Sequence, residues 1–295
     1  MKDHLIRATA FDGQVRAYAI QSTDIVEEAR RRHDVWATTS AALGRTLTIG
    51  SMMGAMMKGD DKMTIKVEGD GPAGAIIVDA ASNGNVRGYI QNPHIDFDSN
   101  EHGKLDVKRA VGTSGSISVV KDLGLKDYFT GQVPIVSGEI AEDFTYYFAN
   151  SEQVPSAVGA GVLVDTDYTI MAAGGFIIQM LPGATDETIG EIERRLSEMK
   201  PVSTLVKEGK TPEELLNTIL SSDNVNVLDS LPVEFECHCS RERIETAIAS
   251  LGDEEIDKMI EEDGGAEATC HFCNEVYQLT ADDLRDLQST SESRE

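Results

Sequence analysis

No stretch of this 295-residue sequence comes near the run of roughly 18 apolar residues that a membrane-spanning helix needs. The segment from Met1 to Arg7 also lacks an apolar run of signal-peptide length. The expectation is therefore a soluble, cytoplasmic protein with no membrane partner. Basic residues are scarce: 26 Lys and Arg stand against 51 Asp and Glu, for a formal net charge of −25. A surface that acidic repels a phosphate backbone, which argues against nucleic acid as a partner. The same charge serves colloidal stability, in an ordinary or a salt-tolerant host. Cysteine is rarer still, with four residues, all in the last quarter of the chain. Clustered cysteines without an export signal point to metal or redox chemistry rather than to structural disulfides.

What is present suffices for a substantial core. Hydrophobic residues make up 40% of the chain, and its length accommodates one large domain and a small one. Residues 1–182 read as mixed strand and helix. Leu5–Phe11 and Gln14–Ile20 flank Asp12-Gly13, a hairpin turn. Asp24–His33 reads as a helix capped by Ser22 or Thr23, and a longer helix runs over Thr39–Lys58 to Gly59. Strands follow at Met63–Glu68, Ala75–Ala80 and Val86–Gln91, then at Ser116–Lys121, Gly161–Val164 and Thr169–Ala173, with a helix through Phe144–Ala149. Tight turns imply antiparallel pairing, so the fold class is α+β.

Residues 183–230 change character to short amphipathic helices. Ile189, Ile192, Leu196 and Met199 share one face before Pro201, and Thr211-Pro-Glu-Glu214 is a capping box opening another helix. Helices this short need something to pack against, which makes the segment a labile linker leaning on the first domain. Residues 231–295 form the third division and hold the cysteines. Here a helix carries Ile244, Ile248 and Leu251, and a second follows Asp253. Cys270–Cys273 sits in a knuckle turn before a strand at Val276–Leu279, and Thr280-Ala-Asp-Asp283 starts a last helix.

The cysteines read C-x-C, thirty intervening residues, then C-x-x-C. Two close pairs of soft ligands brought together by a fold supply the tetrahedron that zinc requires. Cys237, Cys239, Cys270 and Cys273 are thus the expected ligands of one zinc ion, with His238 and His271 left out of the set. A structural zinc contributes about 10–16 kcal/mol of apparent binding energy, against the roughly 5–15 kcal/mol that stabilises a whole domain. With Phe235, Phe272 and Tyr277 as its only aromatics, this module has zinc as its core. Both pairs are close enough in sequence for oxidation to bridge them without large rearrangement. A C-x-C bridge bends the backbone and is easily reduced again, as suits a reversible sensor. Spacing alone leaves three connectivities open.

Other signals carry less. Gly69-Asp-Gly71-Pro-Ala-Gly74 matches a dinucleotide fingerprint but has Pro72 inside and no helix after it, so it reads as a hairpin loop. Met52, Met53, Met56 and Met57 line one helix face and read as core rather than as an adaptable binding surface. Arg30-Arg31-Arg32 reads as a solvated helix end, and no catalytic constellation stands in residues 1–182.

Beyond the cysteines, several runs resemble the redox-regulated chaperone family of heat shock protein 33. These are Arg32-His33, Trp36, Ser40-Ala-Ala-Leu-Gly-Arg45, Gly54-Ala-Met-Met-Lys-Gly-Asp60, Gly103-Lys-Leu-Asp106, Ala110-Val-Gly112 and Ala173-Gly-Gly-Phe-Ile-Ile-Gln179. Pro232 to Cys239 and Glu262 to Asn274 resemble that family's zinc domain. The resemblance implies a non-enzymatic, ATP-independent holdase, zinc-bound and inactive when reduced. It implies that oxidation forms the Cys237–Cys239 and Cys270–Cys273 disulfides, releases zinc and disorders the linker. The active protein then binds unfolding clients, commonly as a homodimer.

Two rivals remain. C-x-x-C also occurs in thiol–disulfide oxidoreductases, though there it follows a strand and opens a helix rather than facing a C-x-C. A zinc-ribbon nucleic-acid binder is opposed by the charge of residues 231–295, where 18 acidic and 5 basic residues leave a net −13.

Overall fold

The predicted Asp12-Gly13 turn joins the first hairpin, β1 (His4–Ala10) and β2 (Val15–Gln21). Asp12 and Gly13 both have positive φ, 51° and 85°, which is the reason for those residue types there. This computed structural model describes residues 2–101 and 103–291. Met1, His102 and residues 292–295, which include the outer ends of the expected first and third divisions, lie outside the described residues. The chain separates into two compact units, Met1–Glu236 and Cys237–Glu295.

In the first unit, α1 (Thr23–His33) and α2 (Ala37–Gly54) follow the hairpin. Next come β3 (Lys62–Gly69), β4 (Ile76–Ala81), β5 (Val86–Ile90), α3 (Val107–Val111), β6 (Gly115–Asp122) and β7 (Phe129–Pro134). Then follow α4 (Ala141–Asn150), β8 (Ser156–Val164) and β9 (Ile170–Met180). Helices α5 (Asp186–Glu198), α6 (Val202–Lys207) and α7 (Pro212–Leu220) lead into β10 (Val225–Pro232). One antiparallel sheet has the order β10-β1-β2-β9-β8 and the other β5-β4-β3-β6-β7. The class is α+β with antiparallel pairing, as the tight turns imply.

Helix α2 packs against β8 and β9 of one sheet and β4 and β5 of the other. All its residues except Arg45 are buried. Such a helix needs small side chains for close approach, and a Cβ on Gly54 would stand 2.4 Å from the Ala81 carbonyl oxygen. Its hydroxyls are satisfied internally: Thr46 donates to the Ala42 carbonyl, Thr48 to that of Gly44 and Ser51 to that of Gly84. Met52 and Met53 are buried in this core, with Met56 and Met57 packed against it. The methionine face is therefore interior. A second core fills the other face of the first sheet, where Ile6, Ala17 and Phe176 meet Ile192, Leu205 and Leu216 of α5–α7.

The structure corrects several local expectations. The Ser22 hydroxyl does not cap α1 but lies 2.7 Å from the Thr48 hydroxyl. The cap comes instead from Asp3, whose Oδ2 accepts from the Ile25 N–H at 2.8 Å. Helix α2 ends at Gly54 rather than Gly59. The second division, expected to hold helices alone, ends in strand β10. Strands β7 and β10 escape the sequence pattern because both are edge strands: each ends in proline, and neither alternates buried and exposed residues cleanly.

The second unit holds α8 (Arg241–Ala249), α9 (Asp253–Lys258) running into a π-helical turn at Met259–Asp263, β11 (Gly265–Thr269), β12 (Val276–Thr280) and α10 (Ala281–Ser291). Thr280 and Asp283 exchange the two bonds of a capping box at the start of α10. Among the described residues its apolar core has four buried members, Ile248, Ile256, Leu279 and Leu284. Leu251, expected on the inner face of α8, is 53% exposed because the helix ends at Ala249.

Candidate metal centre

Four cysteines come together in the second unit through two local devices. Cys237 and Cys239 lie on the extended segment before α8, whose start is fixed by the Ser240 hydroxyl accepting from the Arg243 N–H. Cys270 and Cys273 lie on the turn between β11 and β12, a hairpin that pairs Thr269 with Val276. There the Asn274 N–H donates to the Cys270 carbonyl at 2.7 Å and the Cys270 N–H to the Glu275 carbonyl at 2.9 Å. Asn274 takes positive φ, 59°, to close the turn. The turn also aims backbone N–H groups of Phe272 and Cys273 at the Cys270 sulfur, and that of Glu275 at the Cys273 sulfur. These are the hydrogen bonds that steady a thiolate ligand.

All four sulfurs lie within 4.8 Å of one another. Two approaches run between the pairs: Cys239 to Cys273 at 3.3 Å and Cys237 to Cys270 at 3.8 Å. A tetrahedral ion with metal–sulfur bonds of about 2.3 Å sets its ligand sulfurs about 3.8 Å apart. The donor set therefore fits a soft, four-coordinate ion such as zinc. Cys273 is buried and the other three are half-buried. Burial pushes the Cys270 and Cys273 thiols up, and the neighbouring sulfurs add to the rise at Cys273, so four thiolates gathered here call for a cation among them.

The structure thus brings together all four predicted residues, and among the described residues the cluster is made of sulfur alone. The His238 carbonyl, meanwhile, accepts from Arg243 at 2.9 Å. Sequence reasoning did not single out Tyr277 as a neighbour of the cluster, yet its hydroxyl donates to the Cys239 sulfur at 3.1 Å. Its only signal was a position in the strand just after the knuckle.

Among the described residues, 1–182 contribute no comparable cluster. The Gly69–Gly74 loop joins β3 to β4, as predicted, and is tied to α3 by Gly71 and Ala73 N–H groups on the Val111 and Ala110 carbonyls, both at 2.9 Å. Among the described residues, no helix is long and apolar enough to cross a membrane.

Comparison with known proteins agrees with this geometry. The family model described as Hsp33 protein matches residues 3–280. The chain is 62% identical to a 33 kDa chaperonin of Oceanobacillus iheyensis, over 98% of this chain and all of the relative. It is 60% identical to the 33 kDa chaperonin of Bacillus subtilis, over 97% of this chain and 98% of the relative. The crystal structure of the 33 kDa chaperonin of Thermotoga maritima, 35% identical, superposes with a TM-score of 0.92 over 99% of this chain and all of that one. This chain belongs to the Hsp33 family, the 33 kDa chaperonins, which are chaperones rather than enzymes.

Proposed function

We propose that the protein is a redox-regulated, ATP-independent holdase of the cytoplasm whose switch is the four-cysteine cluster. The observation that carries this reading is the meeting of Cys237, Cys239, Cys270 and Cys273 within 4.8 Å, in a unit whose apolar cluster has four buried members among the described residues. Zinc held there cross-links the two cysteine segments and keeps the four sulfurs as thiolates. In that reduced form the protein is inactive.

Oxidation acts on the sulfurs. Each disulfide forms as two thiolates give up two electrons, and a peroxide that accepts them together with two protons from solvent leaves as two waters. Two peroxides convert all four cysteines. The proposed pairs are Cys237–Cys239 and Cys270–Cys273. Sulfurs also approach one another across the pairs, but one or two intervening residues close a loop at lower entropic cost than about thirty. Once paired, the sulfurs no longer offer thiolate donors, and zinc leaves. The second unit then loses its main source of stability.

Loss of order is proposed to spread into the linker, 183–230, whose helices of 13, 6 and 9 residues are too short to persist alone. Their apolar faces, and the sheet face they cover, would then be available to unfolding clients. The active form is proposed to be a homodimer.

The test is aggregation of a heat-unfolded client protein, followed by light scattering with reduced and with oxidised protein, while released zinc is read by a chromophoric chelator. Protection is expected only after oxidation and in step with zinc release. Equal protection by both forms, or protection with zinc fully retained, would overturn the switch.

A further inference from the structure

Strand β10 occupies the edge of the first sheet while burying almost nothing of its own. It pairs antiparallel with β1 from His4–Pro232 to Ala10–Val225. None of its eight residues is fully buried, and Asn226, Val227, Leu228, Ser230 and Pro232 are exposed. Its neighbour β1 is the opposite, with Leu5, Ile6 and Ala8 wholly buried. The ladder is broken between Arg7 and Ala8, where Leu228 bulges out 60% exposed. The Arg7–Asp229 ion pair is about a third exposed on both sides and adds little. Main-chain hydrogen bonds hold β10 along its length, and of its side chains Leu231 and Val225 pack against the two cores.

The chain continues to the second sheet, where Val233 is buried and Phe235 packs against the core beneath Arg32. The Val86 N–H donates to the Glu234 carbonyl at 3.1 Å and the Glu236 N–H to the Val86 carbonyl at 2.8 Å, a parallel bridge at Phe235. The Asn85 side chain bonds the Glu234 N–H and the Glu236 carboxylate. Residues 225–236 thus run along β1 of one sheet and reach the edge strand β5 of the other, and the next residue is Cys237.

Main-chain bonds do not read side chains, so an edge held through them accepts any extended polypeptide, which is strand addition. Tethering keeps β10 at high effective concentration, and an outside strand cannot displace it until the tether loosens. The charge of β1 suits the task too: in a chain of net −25 it carries no acidic residue, only His4 and Arg7. We propose that β10 is a built-in occupant of a strand-acceptor site. When 225–236 is released, β1 becomes the sheet edge and takes an extended segment of an unfolded client as an antiparallel strand in place of β10. While in place, β10 covers that edge, and its bulge and terminal Pro232 make it a poor edge for pairing in its turn. This inference rests on the holdase reading above and adds a seat for the client's backbone.

Amide hydrogen exchange on the full chain tests it, in the reduced state, the oxidised state, and the oxidised state with a chemically denatured client. Amides of β1 should exchange at least about tenfold faster on oxidation and return towards the reduced rate when client is added. Amides of β2, internal between β1 and β9, should stay slow throughout. A photo-crosslinking residue at Thr9, which faces Asn226, should capture β10 in the reduced chain and client in the oxidised one. Oxidised chain that holds client, by light scattering, with β1 exchange unmoved by that client or Thr9 capturing only β10 overturns the inference alone. Oxidised chain that holds no client overturns the holdase reading and this inference with it.

Discussion

The hydroxyl of Tyr277 donates to the sulfur of Cys239 across 3.1 Å, so a side chain of β12 bonds a cluster sulfur on the segment before α8. Hydrogen bonds to ligand atoms commonly change metal affinity by about 10–100-fold. Tyr277→Phe keeps the ring and removes only the donor. Zinc affinity of the reduced chain should fall by about tenfold in chelator competition, with faster oxidation of the cysteines by peroxide. Unchanged affinity and oxidation rate would show that the bond plays no part in holding the ligand.

Asp3 makes stability depend on pH. Its carboxyl is 4% exposed, and burial pushes it up to about 7, with Asp24 adding to the rise and the Ile25 N–H working against it. A carboxyl raised in the folded state holds a proton that the unfolded chain has released. The stability it contributes is present in acid and lost as pH rises from about 4 through about 7. Asp3→Asn removes that loss while keeping an acceptor for Ile25. At about pH 8 the variant should be more stable than the parent by about 1–2 kcal/mol, with the gap closing as pH falls towards about 4. Urea unfolding across that range reads the difference, and a gap independent of pH would assign the effect to something other than Asp3 titration.

Asp143 organises the approach to α4 from within. It is 1% exposed. Its Oδ1 accepts from the Val136 and Ser137 N–H groups at 2.8 and 2.7 Å, and its Oδ2 from those of Gly138 and Ile140, both at 3.0 Å. Ile140 sits at positive φ, 67°, a conformation a branched side chain rarely adopts unless its surroundings enforce it. Asp143→Ala strands four backbone donors and should destabilise the first unit by about 3 kcal/mol or more. A loss below about 1 kcal/mol in denaturant unfolding would mean that water replaces the carboxylate without penalty.

The ease of reading this protein differs from part to part for physical reasons. The cysteines were legible because their chemistry is local: two short spacings determine which sulfurs can meet. The capping box at Thr211 and Glu214 was legible for the same reason, and both of its bonds are present. Tyr277 was not, since its place beside Cys239 depends on the register of β11 against β12. Helix α2 read as a helix, but its burial on every side did not show, because Thr and Ser hydroxyls that look polar in sequence bond to nearby carbonyls. Strand β10 stayed hidden because main-chain pairing leaves no side-chain periodicity to read. The cap on α1 was misread because Asp3 lies 22 residues from the amide it bonds.

Leu216 tests whether the linker's detachment is what exposes the client surface. It is wholly buried where α7 covers the first sheet, in the same core as Ile6 and Phe176. Leu216→Ala should cost about 2–5 kcal/mol, falling on a nine-residue helix with little stability of its own. The cysteine cluster is left untouched, so the reduced variant should keep its zinc and still suppress aggregation of a heat-unfolded client in part. Ile65→Ala is the control, a loss of similar size in the core between the sheets and away from α7. If both variants gain holding activity alike, general destabilisation explains the gain. If Leu216→Ala gains none while exchange shows α7 released, the client surface lies elsewhere. A gain confined to Leu216→Ala with zinc still bound would separate the two halves of the switch, placing the sensor in the cysteines and the restraint in the linker's hold on the sheet.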